Sequence, residues 1–141
     1  MRKALATIGT AAALSLLTAA PASAAPPDRS EVTTIVSNPC NGDSALVEGT
    51  LTQHFTERKD GGYTYHFRLA ASGVGELTGD RYRFDQNWHS QSVPSQDRFS
   101  LRERFVVKNL SGGPDFTAVF ALRFADGELV TSVNDQTCSA T

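Results

Sequence analysis

The sequence predicts an all-β protein whose strands form an antiparallel meander, closed into a small barrel of about seven to eight strands. Beyond the N-terminal segment no stretch keeps apolar residues at helical spacing, whereas alternating apolar and polar residues recur between Gly, Pro and Asp. The stretch RYRFDQNWHS shows this alternation, with Tyr82, Phe84 and Trp88 at every second residue. Seven strands are predicted, at about 31–37, 44–56, 63–72, 76–89, 98–110, 115–125 and 128–137.

The aromatic residues predict how these strands are arranged. The chain has eight Phe, three Tyr and one Trp, and all of them fall on one face of their predicted strands. A meander with one aromatic face must close around that face or cover it, and no helix is predicted as a cover. Barrel closure is therefore the favoured arrangement, and a two-sheet β-sandwich is the alternative.

Two turns are predicted from glycine. The stretch ADGE is expected to form a type I′ hairpin between the last two strands. The cross-strand pairs that would result are Phe124 with Leu129 and Phe120 with Val133, all on one face. The stretch SGVGELTGD lacks the spacing of a phosphate-binding loop and no helix follows it. Its glycines, Gly73, Gly75 and Gly79, therefore predict a turn and a bulge at a barrel corner.

Residues 1–24 have the parts of a secretory signal peptide. An Arg-Lys pair precedes a charge-free apolar run at 4–20, and the small residues of ASA end the segment. Cleavage after Ala24 would leave a flexible leader at 25–30 and a single domain at 31–141, secreted from the cell. A retained anchor is the alternative. No second apolar segment of membrane-spanning length follows.

The charge balance restricts the class of partner. The chain has 13 Lys and Arg against 15 Asp and Glu, and two of the basic residues lie in the signal peptide. The rest therefore carries 11 against 15, a net charge of −4. Because the domain is acidic overall, it is not a globally basic nucleic-acid binder, and we predict no nucleic-acid partner.

The two cysteines, Cys40 and Cys138, predict one disulfide, since an even count in an exported chain indicates a bridge. The bridge would enclose 97 residues. Loop-closure entropy would then contribute on the order of 4 to 5 kcal/mol to stability. Free thiols or a metal pair fit less well, because no CxxC spacing or nearby histidine accompanies the cysteines. The bridge would tie together the first and last strands of the closed meander.

Four features of the sequence resemble a group of small exported actinobacterial proteins that have no assigned activity. These features are the N-terminal signal, NPCNGD, SGVGELTGDRYRF and a cysteine just before the C-terminus. The resemblance covers most of the chain after the signal. It implies secretion and a β-barrel that is lipocalin-like or allene-oxide-cyclase-like in shape, and it implies no catalytic residue.

Motifs of catalytic and cofactor sites are absent from the sequence, among them GxSxG, HExxH and the EF-hand loop. We therefore predict no catalytic residue and no cofactor. Residues of the first long hairpin whose numbers sum to 120 are expected to pair, which sets His54 across from His66 on the outer face. These two and His89 could hold a metal, but an exposed pair with nothing bound is the favoured interpretation.

Four polar residues share the aromatic face of their predicted strands: Gln53, Gln86, Glu103 and Asp135. A carboxylate inside an apolar barrel needs a hydrogen-bond donor, so an inward Glu103 would be a candidate ligand anchor or acid–base group. The favoured alternative is a bulge that turns Glu103 to solvent beside two arginines.

The opposite face of two neighbouring strands carries a surface patch of basic residues. Its members are Arg81, Arg83, Arg98, Arg102, Arg104 and Lys108. Such a patch could bind a phosphate-rich or carboxylate-rich wall polymer. A solvated face whose charge is balanced by Asp80 and Asp85 is the favoured alternative.

These observations support three functional hypotheses. The leading hypothesis is that the barrel binds a small apolar or aromatic ligand. The residues that would contact this ligand are Tyr65, Phe67, Tyr82, Phe84, Trp88 and, as a polar anchor, Glu103. The second is that the surface patch binds an anionic wall polymer or a protein partner. The third is a barrel isomerase or cyclase, with Glu103 or Asp135 as acid–base group and Tyr82 or Tyr65 as hydrogen-bond donor.

Overall fold

The computed structural model describes residues 26–139, which form one antiparallel sheet whose seven strands follow one another in chain order. The strands are β1 (Asp28–Asn38), β2 (Asp43–Glu57), β3 (Tyr63–Gly75), β4 (Arg81–Val93), β5 (Arg98–Asn109), β6 (Asp115–Ala125) and β7 (Glu128–Ser139). A short 3₁₀ turn, Pro94–Gln96, connects β4 to β5. The described part of the chain holds no helix that could cross a membrane. The predicted signal peptide lies outside the described residues.

All seven predicted strands are present, and several of their bounds differ. β3 and β4 end later than predicted, at Gly75 and Val93 rather than near residues 72 and 89. β1 begins at Asp28, so residues 28–30, which the sequence pattern assigns to a flexible leader, pair with 51–53 of β2. β4 begins at Arg81 rather than near residue 76, because residues 76–80 form a turn. The backbone N–H of Gly75 donates to the carbonyl of Asp80 across this turn, at 2.8 Å.

The glycine-rich stretch before β4 is a turn without a bulge. Gly79 has a φ of +72°, in the left-handed region that glycine adopts without steric cost. The register between β2 and β3 runs without interruption up to the pair Ala45 and Gly75. The turn prediction is confirmed, and the prediction of a bulge at these glycines is wrong.

The register confirms that the aromatic residues share one face. The residue numbers of each pair between β2 and β3 sum to 120, so His54 lies opposite His66 as predicted. Following the alternation from strand to strand puts all twelve aromatic side chains on the face that also carries the buried Val47 and Val107. We call this the inner face and its opposite the outer face.

The disulfide requires the sheet to curl around its inner face. In a flat sheet, β1 and β7 would lie about 29 Å apart, since neighbouring strands are separated by about 4.8 Å. The bond between Cys40, in the β1–β2 turn, and Cys138, in β7, brings their Cα atoms within 5.7 Å. The predicted disulfide is therefore confirmed, and it makes the inner face concave.

The curled sheet is joined at one end only. Near the disulfide, the side-chain amide of Asn38 donates to the carbonyl of Pro114 at 2.8 Å, so the first hairpin also contacts the β5–β6 turn. Among residues 26–139, no strand ladder pairs β1 with β7, and every residue of β7 is exposed. The sheet is thus not closed into the predicted barrel. The strands form one sheet rather than the two of the β-sandwich alternative.

The last hairpin contains a register shift that the sequence pattern does not predict. Its turn is of type I′, with Asp126 at φ 54° and Gly127 at φ 76°, and Phe124 lies opposite Leu129 as expected. The register then shifts between Arg123 and Phe124. The extra residue in β7 reverses the alternation beyond it, so Phe120 lies opposite Asn134. The predicted pairing of Phe120 with Val133 is wrong, and both Val133 and Asp135 are on the outer face.

Candidate functional site

A buried polar network occupies the end of the sheet that carries the disulfide. Asp43 is fully buried and accepts hydrogen bonds on both carboxylate oxygens. Oδ1 accepts the backbone N–H groups of Ser44 at 2.9 Å and Leu77 at 3.0 Å. Oδ2 accepts the hydroxyl groups of Thr78 at 2.5 Å and Tyr82 at 3.1 Å. The stretches NPCNGD and GELTGDRY therefore meet at one carboxylate.

This network keeps Asp43 ionised and has a structural role. The hydroxyl of Thr78 and the N–H of Leu77 lower the pKa of Asp43 below its usual value, because they stabilise the charged form. A Cβ atom at Gly75 would collide with the same carboxylate, so no larger residue fits there. The buried Asn109 adds to the network by donating from its side-chain amide to Asp80 at 2.8 Å. Since Asp43 has no exposed surface, a ligand cannot reach it without opening the fold.

The inner face toward the open end carries a row of mixed aromatic and polar residues. Phe67 lies opposite Trp88, and Trp88 lies opposite Glu103. The rings of Phe67 and Trp88 are stacked, with centroids 5.8 Å apart and planes at 19°. All three side chains are half-buried, so this row is part of the concave surface and is not closed off from solvent.

Glu103 points to the inner face, and the favoured prediction that a bulge turns it to solvent is wrong. No register shift interrupts β5 on either side, and Glu103 lies opposite Trp88 and Phe120. The side-chain amide of Gln86 donates to Glu103 Oε1 at 2.5 Å. Gln86, which was also predicted to lie on the aromatic face, therefore supplies the hydrogen-bond donor that the inward carboxylate requires.

The six residues predicted to contact a ligand divide into two groups. Tyr82 and Phe84 are each 2 % exposed and belong to the core near the disulfide. The other four are half-buried on the inner face: Tyr65, Phe67, Trp88 and Glu103. The hydroxyl of Tyr65 donates to the side-chain carbonyl of Gln53 at 2.7 Å. Of the two acid–base candidates for an isomerase, Glu103 lies on the inner face and Asp135 does not.

Basic residues are concentrated on the outer face of β3–β6. Eight of the eleven Lys and Arg residues between 26 and 139 lie there: Arg68, Arg81, Arg83, Arg98, Arg102, Arg104, Lys108 and Arg123. Only Asp85 and Asp115 are acidic on that face of these strands. Asp80, considered as a balancing charge, lies in the turn before β4. The six predicted patch residues thus share one face, and Arg68 and Arg123 add to them.

The centre of this face contains two adjoining depressions, of about 350 Å³ and 230 Å³. Both are lined by Asn87 and Arg104. The other basic residues that line them are Arg68, Arg83, Lys108, Arg102 and His89. We call Arg68, Arg83, Arg102, Arg104 and Lys108 the convex patch.

One carboxylate neutralises part of the convex patch. Asp85 accepts from Arg68 at 3.2 Å, and a nitrogen of Arg83 lies 3.7 Å from the same oxygen. Within residues 26–139, no carboxylate lies within 4 Å of a nitrogen of Arg102, Arg104 or Lys108. Five cations therefore face one anion, which leaves a strongly positive surface on a domain that is acidic overall.

The three histidines form a row on the outer face. His54 lies opposite His66, which lies opposite His89, and His89 lies opposite Arg102. The ring centroids of His66 and His89 are 6.2 Å apart. Within the described part of the chain, no group of three His, Cys, Asp or Glu side chains could hold a metal ion.

Comparison with known proteins adds no assignment. No family model matches the chain, and no curated protein or solved structure was found to match it. The resemblance to small exported actinobacterial proteins therefore stays a prediction. The function has to be inferred from the two faces of the sheet.

Proposed function

We propose that this protein is secreted and binds an extended anionic polymer outside the cell through the convex patch. The single observation that carries the proposal is the concentration of five cations around two adjoining depressions, where Asp85 is the one counter-charge among residues 26–139. The disulfide is compatible with an oxidising compartment outside the cytoplasm.

The arrangement of the patch suits a chain of phosphates or carboxylates. Arg104 lies opposite Asn87, which lies opposite Arg68, and Lys108 lies opposite Arg83, so cations continue across three strands. Strands are about 4.8 Å apart, and side chains on one face recur about every 6.8 Å along a strand. A polymer with repeated charges can therefore contact several guanidinium groups, each of which offers paired donors to an oxyanion.

The test measures binding of long-chain polyphosphate and poly-L-glutamate at increasing NaCl concentration. We expect the Arg102→Gln/Arg104→Gln variant to bind at least tenfold more weakly, because each charge-assisted contact contributes more than about 1 kcal/mol. Affinity should also fall with salt, since exposed charges are screened. The Arg29→Gln/Lys59→Gln variant also removes two positive charges, but outside the convex patch, and serves as the control. Salt-independent binding, or equal losses in both variants, would disprove the proposal.

A second candidate function is favoured by the row of Phe67, Trp88 and Glu103 on the inner face. The rings are half-buried, and a carboxylate that is already hydrogen-bonded lies beside them. A small apolar or aromatic ligand would lie over these rings, with Glu103 as its polar anchor. Pairing of β1 with β7 would close the sheet into a barrel around it. Isomerase or cyclase chemistry in the same place would use Glu103 as the acid–base group.

The test of the second candidate follows the fluorescence of Trp88, the only tryptophan of the chain, during titration with 2-naphthol. A saturable change that is weakened by Glu103→Gln, and not by Asp135→Asn on the outer face, supports the inner-face site. A signal that stays flat, or that responds equally to both substitutions, eliminates it.

A further inference from the structure

A separate group of cationic residues surrounds a depression of about 430 Å³ at the end of the sheet away from the disulfide. Its cations come from three segments: Arg58 from the β2–β3 turn, Arg98 from the start of β5 and Arg123 from β6. Gln91, Gln96 and Ser100 add neutral hydrogen-bonding groups, and no Asp or Glu of the described chain lines the depression. We call it the rim pocket.

Two arginines of the rim pocket, Arg98 and Arg123, lie close to each other, and no carboxylate of the described chain forms an ion pair with either. Ser100 lies directly opposite Arg123, which makes Arg98 the diagonal neighbour of Arg123. Diagonal neighbours in a sheet are about 7–8 Å apart, a distance at which two long cationic side chains can reach the same ion. Within residues 26–139, no carboxylate lies within 4 Å of either guanidinium group. Arg58 differs, because its guanidinium donates to Asp60 at 2.9 Å.

From this geometry we propose that the rim pocket binds a small organic anion that carries two or more carboxylate or phosphate groups. Two unneutralised guanidinium groups of like charge repel each other, and an anion between them removes that repulsion. The volume is in the range of sites for small organic ligands and far exceeds the roughly 30 Å³ of one water molecule. The rim pocket shares no residue with the convex patch, so the two proposals stand or fall separately.

The test uses NMR of the arginine side-chain Nε–Hε groups in the intact, oxidised protein. Citrate supplies carboxylates alone and 1,3-propanediol bisphosphate supplies phosphates alone, each added at constant ionic strength. We expect the signals of Arg98 and Arg123 to shift and saturate with at least one of the two anions, while that of Arg29, outside both the rim pocket and the convex patch, stays in place. The anion that saturates identifies the chemical class of the ligand.

Matched variants decide whether the site is specific. Arg123→Gln and Arg98→Gln should each weaken binding about tenfold, whereas Arg29→Gln on β1, outside both the rim pocket and the convex patch, should leave it unchanged. The backbone spectrum of each variant shows whether it is folded. Shifts that rise linearly without saturation, shifts at all arginines including Arg29, or an equal loss in Arg29→Gln would overturn the proposal.

Discussion

Asp43 is the residue on which the disulfide end of the sheet depends most. Its four donors come from β2, from the turn before β4 and from β4 itself, so a single carboxylate orients three segments. Burying an ionised carboxylate is costly unless hydrogen bonds replace its hydration, and here both oxygens are fully used. The position therefore tolerates neither loss of charge nor a change of shape.

Replacing Asp43 with Asn should destabilise the fold in a pH-dependent way. The Asn side-chain oxygen can accept the two backbone N–H groups, but the side-chain NH2 group then faces the hydroxyls of Thr78 and Tyr82. In the native protein these hydroxyls donate to Asp43, so in the variant donors would face donors. Because the pKa of Asp43 is lowered in the fold, its contribution is present above the unfolded value of about 3.9 and is lost as pH falls through the folded value. Urea denaturation should thus give Asp43→Asn a lower free energy of unfolding than the unsubstituted protein at pH 7, and this difference should shrink below about pH 4.

The exposed Asp135 on β7 provides the control for this measurement. Asp135→Asn makes the same chemical change at an exposed position of the last strand. A stability deficit in Asp43→Asn that is the same at pH 7 and pH 3 would contradict the role given to its charge.

Side-chain direction could be predicted from the sequence only where alternation continues. The sharing of one face by twelve aromatic residues followed from strand parity and is confirmed. The partners of Asp43 in the turn before β4 could not be predicted, because Leu77 and Thr78 lie 34 and 35 residues further along the chain. Arg68 and Arg123 were missed as members of the basic face, since strand parity has to be combined with the register between strands to find them.

The β6–β7 hairpin shows how the residues of one turn determine the geometry of an element. Asp126 and Gly127 both have positive φ, which the type I′ turn requires. We predict that Gly127→Ala lowers the free energy of unfolding by about 1 kcal/mol, because a Cβ is disfavoured in the left-handed region. Asp126→Asn should be nearly neutral, since Asn-Gly favours the same turn. Urea denaturation measures both, and equal effects would argue against this explanation.

The register shift beyond that turn marks the limit of sequence-based prediction for a strand. β-Bulges have no single sequence signature, so a bulge was expected at Gly73–Gly79 and beside Glu103 but not in β7. The turn itself was predictable because its backbone angles require particular residues. A one-residue shift then moved Val133 and Asp135 to the other face.

For the whole molecule, the disulfide provides the covalent connection between the first hairpin and the last strand. It encloses 97 residues and spans two edges that have no ladder between them in the described chain. We expect reduction, or Cys40→Ala/Cys138→Ala, to lower the free energy of unfolding by about 4 to 5 kcal/mol, the contribution of closing a loop of this length. Unfolding with and without dithiothreitol measures the difference. An unchanged transition would mean that the noncovalent contacts at this end hold the sheet by themselves.

The position of the same bond also determines how the molecule responds to mechanical load. When the two ends of the described chain are pulled apart, tension passes through Cys40 and Cys138 and bypasses everything between them. Only residues 26–39 and 139 can extend, so the oxidised form should reach an end-to-end length of only about 50 Å as β1 peels away. With the bond reduced, all 114 residues from 26 to 139 can extend, to about 400 Å. With the bond intact, tension applied at the two ends would thus leave β2–β7, and with them the convex patch, unstretched.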